Sequence, residues 1–275
     1  MKPPVHTVGV FDSGVGGLSV LRALLDELPQ TRFIYVADRA YAPYGERTPG
    51  AVTDRSERIV DRLRADYPID AMVVACNTAT ALAIDTLRHT HHDLPFVGVE
   101  PALKPATTLS RTRHIGVMAT RGTLDSERYR RLQQRVEHSS PTHPPHFHNQ
   151  PCDGLADAIE QGDTELTHRL CEHYVRALEQ QAPADTPIDT LVLGCTHYPF
   201  ATPFLRALCG PGVSLVDTGI PVARRTREVL QAHRPRALEP ALERLTLLST
   251  REPEALSAVS QRWLAIDMPA ILWSC

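Results

Sequence analysis

Short apolar runs alternate with amphipathic stretches along most of this chain. Runs at residues 8–11, 33–37, 71–75, 96–99, 115–119, 190–194, 213–216 and 245–248 read as buried strands. Between them, Leu18, Leu21, Leu25 and Leu28 recur at helical spacing, as do Ile59 and Leu63, and then Leu166, Leu170, Tyr174 and Leu178. Strand and helix patterns in alternation predict an α/β protein with parallel-type sheets flanked by helices.

A faint internal repeat divides the pattern in two. Val8-Gly9-Val10-Phe11-Asp12-Ser13 reads against Ile115-Gly116-Val117-Met118-Ala119-Thr120. In the same order, Asp70 to Thr78 reads against Asp189 to His197, which aligns Cys76 with Cys195. Each half therefore has a hydroxyl at the end of its first strand and a thiol at the end of a later one. Two similar, pseudo-symmetric α/β domains are expected, residues 1–98 with 210–275 and residues 99–209. Ligands of open α/β sheets bind beyond the carboxyl ends of the strands. If the two halves face each other, both thiols point into one shared cleft at the domain interface.

Residues 138–148, rich in proline and histidine, break the periodicity and read as a loop. The histidine spacing fits no standard ligand set, so no metal is expected there.

Composition narrows the function. The net charge is −3 with no basic stripe, so neither nucleic acid nor a membrane surface is an expected partner. No apolar run approaches a membrane span and residues 1–7 lack a leader layout, so the expected location is the cytoplasm. There the six cysteines should be thiols, ligands or catalysts rather than bridges. Only two lysines occur, Lys2 and Lys104, which makes Schiff-base chemistry on pyridoxal phosphate improbable.

Cys76 and Cys195 are the cysteines that stand where an apolar strand gives way to polar residues. Buried cysteine is usually a small hydrophobe, and that reading suits Cys152, Cys171, Cys209 and Cys275. Cys76 precedes Asn77-Thr78-Ala79-Thr80, a strand-to-helix turn whose peptide dipoles would lower a thiol's pKa. Cys195 precedes Thr196-His197, and the imidazole could exchange a proton with it. Two such groups suit racemisation, which removes a proton from one face of a carbon and returns one to the other. The glycine-rich turn after Asp12-Ser13, the Pro43-Tyr44-Gly45 segment, and Thr120 with Thr123 could receive the carboxylates of an amino acid.

Together, Phe-Asp12-Ser13-Gly-Val-Gly-Gly, Tyr-Ala-Pro43-Tyr44-Gly45-Glu46, Ala-Cys76-Asn77-Thr78-Ala, Gly-Val-Glu100-Pro101-Ala, Thr120-Arg-Gly-Thr123 and Leu-Gly-Cys195-Thr196-His197-Tyr198-Pro199 resemble the bacterial glutamate racemases of the aspartate/glutamate racemase superfamily. The resemblance implies a cofactor-independent enzyme that supplies D-glutamate for peptidoglycan. Cys76 would deprotonate D-glutamate with help from Asp12, and Cys195 would deprotonate L-glutamate with help from His197. Substrate contacts would come from Ser13, Pro43, Tyr44, Gly45, Asn77, Thr78, Thr120, Thr123, Glu160 and Thr196. A homodimer is a family-level expectation. Two alternatives stay open: aspartate as substrate, since one methylene is worth only about 1–3 kcal/mol in a pocket, and a zinc or redox site built on Cys195 and His197.

Overall fold

The computed structural model describes residues 6–139, 142–232 and 243–275. The chain divides into two compact units, Met1–Val99 with Gly219–Cys275, and Glu100–Thr218. Unit 1 begins with β1 (Thr7–Asp12), α1 (Leu18–Glu27), β2 (Arg32–Ala37), α2 (Pro49–Asp66), β3 (Ala71–Val74), α3 (Asn77–Thr90) and β4 (Phe96–Gly98). Unit 2 contains α4 (Leu103–Leu109), β5 (His114–Ala119), α5 (Arg121–Leu124), α6 (Glu127–His138), β6 (His146–Pro151), α7 (Leu155–Gln161), α8 (Thr164–Glu179), β7 (Thr190–Gly194), α9 (Thr202–Cys209) and β8 (Ser214–Val216). The chain then returns to unit 1 with α10 (Gly219–Gln231), β9 (Leu245–Ser249), α11 (Pro253–Leu264) and β10 (Ile271–Leu272).

Among the described residues each unit has one sheet, and every strand pairing is parallel. The orders are β10-β9-β2-β1-β3-β4 and β6-β5-β7-β8. Removing β9 and β10 leaves the same topology in both units, so the repeat seen in the sequence extends to the strand order. It extends to the register as well. Val8 pairs with Ala71 as Ile115 pairs with Thr190, and Phe11 with Val74 as Met118 with Leu193. The acidic residue before each cysteine-bearing strand has the same task twice. Asp70 accepts from the Thr7 amide at 2.8 Å, while Asp189 accepts from the Arg111 and Thr112 amides at 2.6 and 3.0 Å.

The apolar faces explain the layers. Leu18, Leu21, Leu24 and Leu28 bury the inner face of α1, with Leu24 taking the place that sequence spacing assigned to Leu25. Val52, Ile59, Val60 and Leu63 of α2 join Ile34, Val36, Met72 and Val74 in one core cluster. Each such side chain contributes roughly 1.5–3 kcal/mol by leaving water. In unit 2, Cys171, Tyr174, Val175 and Leu178 bury one face of α8 against Leu191 and Leu193 of β7. No described helix is long and apolar enough to cross a membrane.

Three differences from the sequence reading have physical causes. β6 begins inside the 138–148 segment expected to be a loop: His138 ends α6, and His146–Pro151 pair with β5. Residues 140 and 141 lie outside the described residues. β6 is an edge strand, so backbone pairing on one side suffices and a polar, histidine-bearing sequence is tolerated. β10 is too short for any periodicity. The second unit also runs past residue 209, because β8 pairs with β7 and keeps residues 210–218 with that sheet.

Candidate active site

In unit 1 the candidate residues gather at the carboxyl ends of β1, β2 and β3. Cys76 has extended backbone angles and caps α3, its Sγ accepting from the Ala79 amide at 3.4 Å. A sulfur thus occupies the place where a serine or threonine oxygen usually meets a helix's unpaired amides. The thiol also donates to Ser13 Oγ at 3.7 Å. Asp12 is fully buried and accepts from the Gly14 amide at 2.8 Å. Its neighbourhood is tight: a Cβ on Gly17 would stand 2.6 Å from Asp12 Cβ and 2.9 Å from Tyr35 Oη. Asn77 and Thr78 begin α3 and are buried. Neither amide atom of Asn77 has a hydrogen-bond partner, which is rare for a buried side chain and typical of one aimed at a ligand.

Pro43, Tyr44 and Gly45 lie in the 3-10 turn region after β2, with Tyr44 buried and its hydroxyl donating to Asp38 at 2.6 Å. Burial, then the charge of Asp38 and this hydrogen bond, then the charge of Cys76, hold the Tyr44 phenol far above its ordinary range. Asp38 is in turn gripped by Arg55 through two bonds of 2.9 and 2.7 Å. Sequence reasoning missed both residues of this pair. The available signal was that Arg55 falls on the apolar stripe of α2, between Val52 and Ile59.

In unit 2 the equivalent positions close β5 and β7. Thr120 caps α5, accepting from the Thr123 amide at 3.3 Å, and the two hydroxyls are 2.9 Å apart. Cys195 follows β7 and is buried with Thr196 and His197. No α-helix starts there; a 3-10 turn, Tyr198–Ala201, follows instead. Beside the Cys195 thiol stands an imidazole. His197 Nδ1 lies 3.8 Å from Cys195 Sγ and Nε2 lies 2.8 Å from Glu160 Oε2. Burial alone would push this imidazole down, but the hydrogen bonds to Cys195 and Glu160 and their charges outweigh it, leaving it well above its usual value. Glu160, expected among substrate contacts, is thus placed on the far side of His197, buried in α7.

The remaining cysteines are unpaired and packed into the units or at their edges. Cys152 donates to the Gln150 carbonyl, and burial pushes its thiol up. Among the described residues no group of three or more His, Cys, Asp or Glu side chains is placed to hold a metal ion. With both His197 nitrogens facing Cys195 and Glu160, the geometry gives no support to a zinc site there. Lys104 stands exposed on α4, whereas a Schiff-base lysine needs an enclosed, low-dielectric setting. Lys2 lies outside the described residues.

Comparison with known proteins covers most of the chain. The family model for Asp/Glu/Hydantoin racemases matches residues 11–226. A glutamate racemase of Ectopseudomonas mendocina is 44% identical over 236 residues, 85% of this chain and 86% of the relative. One from Aliarcobacter butzleri is 40% identical over 79% of this chain and 81% of its own. Among solved structures, Escherichia coli glutamate racemase in complex with L-glutamate and the activator UDP-MurNAc-Ala superposes with a TM-score of 0.83 at 32% identity, covering 94% of this chain and 95% of that one. The Bacillus anthracis isoform RacE1 gives 0.82 at 27% identity, covering 98% and 97%. The match of the family model and the identity to these relatives lead to one conclusion: the chain belongs to the Asp/Glu/Hydantoin racemase family.

Proposed function

We propose that this racemase interconverts L- and D-glutamate without a cofactor, using Cys76 and Cys195 as its two proton-transfer groups. The observation that carries the reading is the equivalence of the two thiols. Each ends the equivalent strand of an equivalent sheet, beside a strand that ends in a hydroxyl residue. Their auxiliaries differ: Asp12 and Ser13 accompany Cys76, while His197 and Glu160 accompany Cys195. One thiolate removes the α-proton while the other, as a thiol, delivers a proton to the opposite face. Cys76 takes the proton of D-glutamate and Cys195 that of L-glutamate. A helix N-terminus favours negative charge on the Cys76 sulfur, and a cationic imidazole does the same for Cys195.

The weakly acidic α-carbon requires electrostatic support for the carbanionic transition state. Ser13, Asn77, Thr78, Thr120, Thr123 and Thr196, with the Pro43–Gly45 turn, supply donors for the carboxylates and acceptors for the ammonium. The free amide of Asn77 supports this reading, as do the relatives' names. D-glutamate made in the cytoplasm would feed peptidoglycan synthesis, and the family-level homodimer is part of the same proposal.

The test is α-proton NMR of L- and D-glutamate with the purified protein in heavy water. Deuterium incorporation together with the opposite enantiomer is expected from each. Cys76→Ala and Cys195→Ala should each lower racemisation by about 10²–10⁴-fold, the range for a positioned proton-transfer group. Undiminished racemisation in both variants would overturn the two-thiol mechanism. Turnover of aspartate in place of glutamate would overturn the substrate.

A further inference from the structure

Arg55 projects from the middle of α2 into unit 1, with only 5% of its surface exposed. The five N–H donors of a guanidinium are fixed in one plane, and here two of them grip a single carboxylate while a third reaches the Cys275 carbonyl. Nε donates to Asp38 Oδ2 at 2.9 Å and Nη2 to Asp38 Oδ1 at 2.7 Å. Nη1 donates to the Cys275 carbonyl at 2.7 Å. The guanidinium carbon lies 4.0 Å from the centre of the Tyr41 ring, in cation–π range. Asp38 passes the grip onward. It accepts from Tyr44 Oη at 2.6 Å, its amide donates to the Asp12 carbonyl at 2.9 Å, and its carbonyl receives the Tyr41 amide at 3.0 Å.

A buried ion pair adds little to stability compared with apolar residues of the same volume. What it does provide is a fixed geometry. Its contacts hold both ends of the 41–44 segment, at Tyr41 directly and at Tyr44 through Asp38. The Tyr44 side chain lies in the same buried cluster as Cys76. We infer that Arg55 is a positioning residue for glutamate binding: through Asp38 it clamps Tyr41 and Tyr44, and so sets the Pro43–Gly45 turn that receives the substrate. This rests on the reading of the turn as a substrate contact.

A turn that contacts substrate and transition state alike should affect KM and leave kcat nearly untouched. Lysine keeps the charge of Arg55 but loses the two-pronged grip. Arg55→Lys should therefore raise KM for both enantiomers about tenfold, with kcat changed less than about threefold. Tyr44→Phe, which deletes only the hydroxyl, should give a rise in the same direction. The double variant should be no worse than the more affected single, because both changes break one chain of contacts. Millimolar ethylguanidinium should lower the raised KM of Arg55→Ala, which a merely loosened core would not show.

Wild-type KM in Arg55→Lys and Tyr44→Phe, or a loss confined to kcat, overturns the inference. Should Arg55→Lys fail to fold, Tyr44→Phe decides alone, an unchanged KM refuting the clamp. If the wild-type protein leaves glutamate unchanged, the functional reading fails first and takes this inference with it. Active wild type with indifferent variants refutes the clamp only.

Discussion

His197 and Glu160 form a buried pair, Nε2 to Oε2 2.8 Å, with 6% and 5% of their side chains exposed. The carboxylate fixes the ring so that Nδ1 faces Cys195. Against burial, which lowers it, the hydrogen bonds and charges of Cys195 and Glu160 together hold the imidazole pKa above its ordinary value.

Replacing Glu160 should therefore be legible in both stability and rate. A folded-state pKa above the unfolded value of about 6.5 gives stability that is complete below pH ~6.5 and is lost as pH rises through the folded pKa. The urea midpoint of the wild type should fall over that alkaline range, and Glu160→Gln should flatten the slope. Equal slopes would show that the pair does not hold the proton. The two enantiomers have equal free energy, so kcat/KM must fall equally in both directions, by about tenfold, less than removal of a proton-transfer group. The asymmetry should appear as a larger deuterium isotope effect from α-deuterated L-glutamate than from the D form.

Gly17 leaves room for Asp12 and Tyr35, and a methyl there has nowhere to go. Gly17→Ala should lose about 1–3 kcal/mol of stability, the usual range for overpacking. Gly50, with nothing within 4 Å of an added Cβ, provides the control. Gly50→Ala in α2 should be neutral or gain up to about 1 kcal/mol. Denaturant unfolding of the two variants checks both, and equal effects would refute the steric argument.

Asp189 supports the start of β5, accepting from Ser110 Oγ at 2.6 Å as well as the Arg111 and Thr112 amides. Burial pushes its carboxyl up, but the hydrogen bonds from Ser110, Thr112, Arg111 and Thr190 outweigh it, so the pKa is lowered. Its contribution is present above the unfolded value of about 3.9 and is lost as pH falls through the folded one. Asp189→Asn should cost about 1–3 kcal/mol near neutral pH, and the gap to wild type should close in acid. A gap independent of pH would mean that packing, not the charge, is what Asn disturbs.

The strands that sequence made legible are those buried on both faces, such as Val8-Gly-Val-Phe and Leu191-Val-Leu, whose apolar runs have few alternatives. β6 was hidden because His146-Phe-His-Asn-Gln-Pro carries no apolar run; its rings instead stack on their neighbour, His114 on His146 at 4.9 Å between centroids. The internal repeat was the signal that could have found it, since β6 stands beside β5 as β2 stands beside β1. Both thiols were readable because each ends an apolar strand. The Arg55–Asp38 pair was legible only by half: the apolar stripe of α2 marks Arg55 for burial, but nothing local names Asp38 as its partner. Glu160 was readable only by resemblance, for nothing local ties α7 to His197.

The division of unit 1 between two stretches of chain has a consequence for how the molecule comes into being. The sheet of unit 2 is encoded in one unbroken stretch, so all its strands can pair while residues 219–275 are still unmade. The sheet of unit 1 cannot be completed on that schedule, because β9 must arrive beside β2 from more than two hundred residues later. Until then β2 presents an open parallel edge, the kind of surface on which nascent chains cross-pair. Vectorial synthesis therefore allows the Cys195 half to close first, while the sheet of the Cys76 half waits for β9 and β10.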